Sequence, residues 1–93
     1  MKRIPIEDAF DLHSFRPGDV ASALAEYLRE AKAAGLSEVR VIHGKGTGAR
    51  RAEVHRLLQR RTDVLDYFDA PPERGGFGAT VVLLRTETVE PRT

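Results

Sequence analysis

The sequence predicts an α/β domain: a two-layer sandwich in which a four-stranded mixed sheet carries two helices in the order β-α-β-α-β-β. Three observations favour this fold. The 93 residues suffice for one domain with a single core. Short segments of strand character alternate with segments whose apolar residues recur at helical spacing. A long loop before the last strand leaves strands three and four free to pair antiparallel.

The first predicted strand covers residues 8–13. Phe10 and Leu12 alternate there with Asp11 and His13, so the apolar and polar side chains point to opposite faces. We therefore expect the two polar side chains to share one face.

The first helix is predicted over residues 17–34. Pro17 suits the first turn of a helix, and Gly35 is typical of the position just past its end. Between them, apolar side chains recur at helical spacing at Val20, Leu24, Tyr27, Leu28 and Ala31.

The second strand and second helix flank a glycine-rich segment. β-branched side chains at Val39, Val41 and Ile42 predict a strand over residues 38–43. The glycines that follow end this strand, and a helix is predicted over residues 48–60.

Two further strands complete the predicted sheet, over residues 64–69 and 79–85. The last is apolar on both faces, which favours a central position. Between them, residues 70–78 hold two prolines and three glycines and are predicted to form a loop.

These elements define the predicted domain as residues 8–85, with an N-terminal extension (1–7) and a polar C-terminal tail (86–93). The absence of cysteine excludes disulfides and cysteine-based zinc sites. The N-terminus lacks the apolar segment of a signal peptide, and no apolar run is long enough to span a membrane. We expect a soluble cytoplasmic protein with no membrane partner.

Positive charge is concentrated in one segment, although the formal net charge is only +1. Residues 43–61 hold six basic side chains and one acidic side chain. This asymmetry predicts a local anion-binding surface. A solvated, arginine-rich helix face is the alternative.

Several candidate catalytic and phosphate-binding residues are expected to lie at one edge of the sheet. His13 ends the first predicted strand and His43 ends the second. Parallel strands would bring both histidines to one edge, where open α/β sheets bind ligands. The glycine loop (residues 44–48), Arg50 and Arg51 would lie at the same place.

The glycine loop is a candidate phosphate site. Its glycines would let backbone N–H groups approach an anion, and the start of the second helix would add a partial positive charge. The predicted phosphate-binding residues are Gly44, Lys45, Gly46, Thr47, Gly48, Arg50 and Arg51. A tight turn that uses glycine only for its dihedral angles is the alternative.

Aspartate beside histidine suggests proton-transfer chemistry. Asp11 could orient His13, and two histidines near a phosphate could act as general base and general acid. Structural hydrogen bonding is the alternative for Asp11, His13 and His43. His55 follows an apolar helix position and is expected on the surface.

Phe77 lies among three glycines in the predicted loop. An exposed aromatic ring there could stack on an unpaired base and contribute to nucleic-acid binding. Packing of the ring back onto the sheet edge is the alternative.

Three segments resemble motifs of the Smr (small MutS-related) domain family. Residues 10–13 (Phe-Asp-Leu-His) resemble its LDLH motif, and residues 43–48 match its HGKGTG motif. Residues 70–80, which include Gly-Gly-Phe-Gly-Ala-Thr, match the segment that closes the domain. Phe10 and Ser14 replace the usual leucine and glycine around the first motif. Asp-Leu-His followed by Ser14 and Phe15 resembles a subgroup of short stand-alone members.

The resemblance implies a fold similar to the C-terminal domain of translation initiation factor three. It also implies nucleic-acid binding and an endonuclease activity that nicks DNA or cuts RNA. Asp11, His13 and His43 would be the catalytic residues, with Lys45 and the loop amides holding the phosphate. Ser14 puts this activity in question.

A non-catalytic DNA- or RNA-binding module is the alternative function, and a small phosphorylated ligand or a protein partner is a third. Cofactors are unknown, with Mg²⁺ or Mn²⁺ as candidates, but the sequence lacks the carboxylates of a two-metal site. A monomer and a homodimer both remain open.

Overall fold

The computed structural model describes residues 8–85, so the predicted extension and tail lie outside the described residues. Four strands and two helices follow one another in the predicted order. The strands are β1 (Ala9–Asp11), β2 (Glu38–Ile42), β3 (Val64–Asp69) and β4 (Ala79–Leu84), and the helices are α1 (Val20–Ala33) and α2 (Ala49–Gln59).

The sheet is mixed, with the strand order β1-β2-β4-β3. β1 and β2 are parallel, with Phe10 beside Val41. β4 runs antiparallel to both of its neighbours, which confirms its predicted central position and its pairing with β3. The register places Thr80 of β4 between Val41 of β2 and Asp69 of β3.

The main core lies between one face of this sheet and the two helices. Alternate residues of the central strands supply the sheet's side, among them Val39, Val41 and Val82. The predicted stripe of α1 is buried, and Val54 and Leu58 form the buried stripe of α2. The opposite face of the sheet carries a smaller cluster that consists of Ala70, Ala79 and Val81.

The first strand and the first helix are shorter than predicted. β1 ends at Asp11 because the Asp11 side chain accepts the backbone N–H of His13 at 3.0 Å and turns the chain. His13 therefore lies in a turn. Residues Pro17–Asp19 form a 3₁₀ turn before α1, and two similar turns, Pro72–Arg74 and Gly76–Gly78, occupy the predicted loop.

This topology brings four chain segments to one edge of the sheet. The carboxyl ends of β1 and β2 lie there because the two strands are parallel. The start of β4 and the end of β3 join them because β4 is antiparallel to both neighbours. The residues that flank these strand ends form the candidate site.

A charge cluster joins the far ends of the two helices. Asp63 accepts two hydrogen bonds from the Arg61 guanidinium, at 3.0 and 2.9 Å, and Lys32 of α1 lies 3.5 Å away. The bonds from Arg61 hold the pKa of Asp63 below its usual value. Asp63 therefore stays ionised and ties the end of α2 to α1.

Replacing Asp63 by asparagine is expected to lower the free energy of unfolding at pH 7 by about 1–2 kcal/mol, because it removes the carboxylate from a half-buried cluster. The folded pKa lies below the unfolded value of about 4, so the contribution is present above that pH. It is lost as the pH falls through the folded pKa. Urea denaturation at pH 7 and pH 3 checks this, and an equal deficit at both pH values would contradict it.

Candidate functional site

The predicted convergence at the sheet edge is present, and it includes one more segment. Gly78, just before β4, accepts hydrogen bonds from the backbone N–H groups of His43 and Gly44, at 3.0 and 2.9 Å. The glycine loop is therefore fastened to the turn that carries Phe77. A cavity of about 530 Å³ opens here, with His13, Lys45 and the loop among its lining residues.

Asp11 and His13 form a hydrogen-bonded pair at this edge. The Asp11 Oδ1 atom lies 2.5 Å from His13 Nδ1 and also accepts the His13 backbone N–H. These hydrogen bonds lower the pKa of Asp11, which therefore stays ionised near neutral pH. Because a carboxylate only accepts, the neutral imidazole carries its proton on Nδ1 and leaves Nε2 unprotonated.

The His13 side chain lies directly against the glycine loop. Gly44 has a φ of +84°, and a Cβ atom there would be 3.3 Å from the His13 Cβ. Glycine at this position thus permits both the turn and the approach of the imidazole. The two side chains of the pair remain accessible, with His13 60% and Asp11 52% exposed.

The glycine loop presents unpaired donors beside this pair. Within residues 8–85, the backbone N–H groups of Lys45, Gly46 and Thr47 have no hydrogen-bond acceptor. The Lys45 side chain is exposed and forms no ion pair with any described residue. Since α2 begins at Ala49, its positive end also lies here. The arrangement suits a phosphate group.

His43 is in a different environment from His13. It is only 3% exposed, and burial lowers the pKa of its imidazole. Its Nδ1 lies 3.1 Å from the Gly44 carbonyl oxygen, and its Nε2 lies 2.9 Å from Thr80 Oγ1. His55 of α2 also places its Nε2 2.9 Å from Thr80 Oγ1.

One arrangement of protons satisfies this histidine pair. The Gly44 carbonyl only accepts, so His43 carries its proton on Nδ1. Its bare Nε2 then accepts the Thr80 hydroxyl proton, and the Thr80 oxygen accepts the N–H of His55. A single hydroxyl therefore links the end of β2, helix α2 and strand β4.

This network bears on two sequence-based assignments. The catalytic role of His43 stays a prediction, and both of its ring nitrogens are engaged within the protein. His55 was expected on the surface, but it is half-buried and hydrogen-bonded, and burial lowers its pKa. Both histidines serve to position the elements around the glycine loop.

Arg50 and Arg51 reach the site but are held by the protein. Arg50 donates to the carbonyl oxygens of Leu12 and Phe15, at 2.8 and 3.1 Å, and so braces the chain after β1. Arg51 makes two hydrogen bonds to Asp69, at 2.8 and 2.9 Å. These bonds lower the pKa of Asp69. Both guanidinium groups are therefore engaged within the protein. They hold neighbouring chain segments in place instead of offering free positive charge to a ligand.

Thr80 and Asp69 also belong to this site, although neither was among the residues predicted for it. Thr80 is the one polar residue between Ala79 and Leu84, and that exception within an apolar strand was the available signal. Asp69 ends β3, opposite Thr80, so only the sheet register could reveal its position.

The described residues form no cluster of metal ligands. Within residues 8–85, no group of three or more histidine or acidic side chains could hold a metal ion. Asp11 is hydrogen-bonded to His13, and Glu53 lies 4.0 Å from the Arg50 guanidinium. A divalent metal at this site would therefore need further ligands from substrate or water.

Comparison with known proteins decides the family. The Smr domain family model matches residues 10–85. The chain belongs to the Smr domain family. Endonuclease MutS2 of Thermus thermophilus is 52% identical over 69 residues, which are 71% of this chain and 9% of that protein. The Smr domain thus spans about a tenth of the length of this curated relative.

Two solved Smr structures share the fold. The Smr domain of Thermus thermophilus MutS2 has a TM-score of 0.81 and 42% identity, with 85% of this chain and 99% of that chain covered. YdaL, a stand-alone small MutS-related protein from Escherichia coli, has a TM-score of 0.80 and 32% identity, with 85% and 65% covered. Among residues 8–85, no helix is long and apolar enough to cross a membrane.

Replacing Thr80 by valine is expected to lower the free energy of unfolding by about 1–3 kcal/mol, because the buried His43 Nε2 loses its donor. Thr80→Ser keeps the hydroxyl and serves as the control. Urea denaturation of the three proteins at pH 7 measures the effect. A Thr80→Val variant as stable as the wild-type protein would contradict the proposed positions of the protons on His43, Thr80 and His55.

Stability is also expected to fall as the pH drops from about 7 to about 5. The folded pKa values of His43 and His55 lie below the unfolded value of about 6.5. The unfolded chain therefore takes up protons that the folded chain does not, at a cost of up to about 1.4 kcal/mol per histidine per pH unit. Urea denaturation at several pH values across this range measures the free energy of unfolding. This free energy should fall less steeply with pH in His43→Gln than in wild type, and an equal dependence on pH would count against the assignment.

Proposed function

We propose that this Smr domain binds nucleic acid and hydrolyses a phosphodiester bond in it, as a DNA-nicking or RNA-cleaving endonuclease. One observation carries the proposal: the free Nε2 of His13 lies beside a loop with unpaired N–H donors and an unpaired lysine. The names of the relatives, Endonuclease MutS2, support the same activity.

In this proposal the glycine loop holds the scissile phosphate. The N–H groups of Lys45, Gly46 and Thr47 donate to its oxygens, and the Lys45 ammonium offsets the negative charge that develops there. The amides need no reorganisation, because the bonds to Gly78 and the Thr80 network already fix the loop.

His13 is the general base. Its Nε2 takes a proton from the attacking water or hydroxyl group, and Asp11 stabilises the imidazolium that results. The new bond forms at phosphorus and the bond to the leaving oxygen on the opposite side breaks. A solvent water in the open cavity protonates that oxygen, and His13 then returns its proton to solvent. Asp11 remains ionised throughout, in keeping with its lowered pKa.

A nucleic-acid-binding module without catalysis is the second candidate. The engagement of His43 favours it, because the site then offers His13 as its one proton-transfer histidine. The same loop and lysine would bind the phosphate, and the pair would serve only as a hydrogen-bonding feature.

Replacing His13 by glutamine is expected to lower the cleavage rate by about 10²- to 10⁴-fold, the range of general acid–base catalysis. Binding of the same substrate should be largely retained, because the loop and Lys45 remain. Asp11→Asn should also lower the rate, since an amide no longer holds the imidazole in its reactive tautomer. Labelled single-stranded RNA and supercoiled plasmid are the two substrates.

Each substrate is incubated with Mg²⁺, Mn²⁺ or EDTA. Arg60→Gln is the control, because Arg60 lies just beyond the far end of α2 and takes no part in the proposed chemistry. Cleavage that survives both His13→Gln and Asp11→Asn would disprove the assignment of the pair. Retarded but intact substrate with wild-type protein would favour the binding module.

Replacing Lys45 by alanine is expected to weaken binding and to reduce the slope of log K against log salt by about 0.7–0.9, the value of one phosphate contact. Arg60→Ala is the matched control, since Arg60 lies just beyond the opposite end of α2. Fluorescence anisotropy at several salt concentrations measures both variants. A larger effect of Arg60→Ala would place the phosphate elsewhere.

A further inference from the structure

We propose that Phe77 is a stacking platform for an unpaired base, so that the substrate is a nucleic acid with an unpaired nucleotide beside the bound phosphate. This inference rests on the proposed function and adds a second subsite and a substrate class to it. Three observations support the inference: the exposure of Phe77, its attachment to the glycine loop and the hollows around it.

Phe77 is the most exposed large apolar side chain in residues 8–85, at 65%. Leu65 and Phe68 are also exposed, at 55% and 44%, but both lie on the edge strand β3. A single exposed apolar residue needs no functional explanation. The position of Phe77 at the site is what sets it apart.

The Phe77 turn is built against the phosphate loop. The carbonyl oxygen of Gly78 accepts the N–H groups of His43 and Gly44. A Cβ atom on Gly78 would come within 3.2 Å of the Lys45 Cγ, so glycine there allows the lysine stem to lie across the turn. Phe77 is therefore the chain neighbour of Gly78, the residue that lies against Lys45.

Two hollows beside the ring connect it to the phosphate site. One, of about 390 Å³, is lined by Phe77, Arg51 and the glycine loop from Lys45 onward. The other, of about 320 Å³, is lined by Phe77, Lys45 and a segment of small or ring residues: Ala70, Pro72, Gly75 and Gly76. Lys45 also lines the cavity that holds His13. His13, Lys45 and Phe77 thus follow one another along one continuous surface.

Arg51 supports the platform. Its guanidinium carbon lies over the phenyl ring, 5.7 Å from the ring centroid, and Asp69 holds the guanidinium through two hydrogen bonds. One face of the ring is thereby backed by a fixed cation. The other face is open to a flat partner.

A nucleobase is the occupant that this chemistry favours. It presents a π-face, and its backbone phosphate would meet Lys45 and the loop amides at the neighbouring position. The small residues of the second hollow offer no side-chain donors or acceptors to base edges, so stacking should tolerate any base. In a duplex the faces of a base are already covered by its neighbours, and the platform therefore requires an unpaired nucleotide.

The first test compares the affinity of wild type and Phe77→Ala for a mixed-sequence single strand, as RNA and as DNA, and for the corresponding duplex. Loss of one stacked base is expected to weaken single-strand binding by about 5- to 100-fold and to leave duplex binding unchanged. Phe68→Ala is the matched control, because it removes an exposed phenylalanine that lines none of the three cavities of the site.

A second test uses fluorescence, since the chain contains no tryptophan. In Phe77→Trp, a stacked base is expected to quench the indole emission on addition of single strand. An abasic site at the contacted position should restore the emission, and Phe68→Trp should respond to neither. This variant keeps an aromatic ring and so also guards against loss of folding in Phe77→Ala.

The possible outcomes separate the two proposals. Single-strand binding that is unchanged in Phe77→Ala, with no quenching in Phe77→Trp, overturns the platform and leaves the proposed function standing. Failure of the wild-type protein to bind any nucleic acid overturns both. Equal losses for single strand and duplex overturn the requirement for an unpaired nucleotide.

Discussion

The hydroxyl group of Thr80 holds together the parts of the fold on which the site depends. It lies in the central strand, where an unpaired polar atom would be costly, and it has one proton to give. Because His43 accepts that proton and His55 donates to the same oxygen, the end of β2 and the body of α2 are fixed to β4. The glycine loop runs between these two histidines and is therefore anchored on both sides.

The same fold places its three histidines in two environments that suit opposite tasks. Burial keeps His43 and His55 neutral, so their hydrogen bonds persist near neutral pH. His13 is exposed and has an ionised partner in Asp11. A buried, uncharged network thus lies beside an exposed hydrogen-bonded pair, and it holds the elements that carry that pair in place.

The sequence predicted the element order and the antiparallel last strand, because both follow from local periodicity and loop length. It overextended β1, because a side-chain bond from Asp11 to the backbone competes with the strand. It placed His13 and Lys45 at one edge through the parallel-strand rule. It could not predict that His43 is buried and His13 exposed, since both follow strands. The difference arises from Thr80, 37 residues beyond His43, and depends on sheet register.

Half of the basic side chains in residues 43–61 are engaged within the protein and offer no free charge to a ligand. Of the six basic side chains in residues 43–61, Arg50 is bound to carbonyl oxygens, and Arg51 and Arg61 are paired with Asp69 and Asp63. Lys45 is left at the loop with the unpaired amides. The site therefore suits one phosphate held closely better than a long track of phosphates. In the proposed complex, a base stacked beside that phosphate adds a contribution to affinity that salt does not screen.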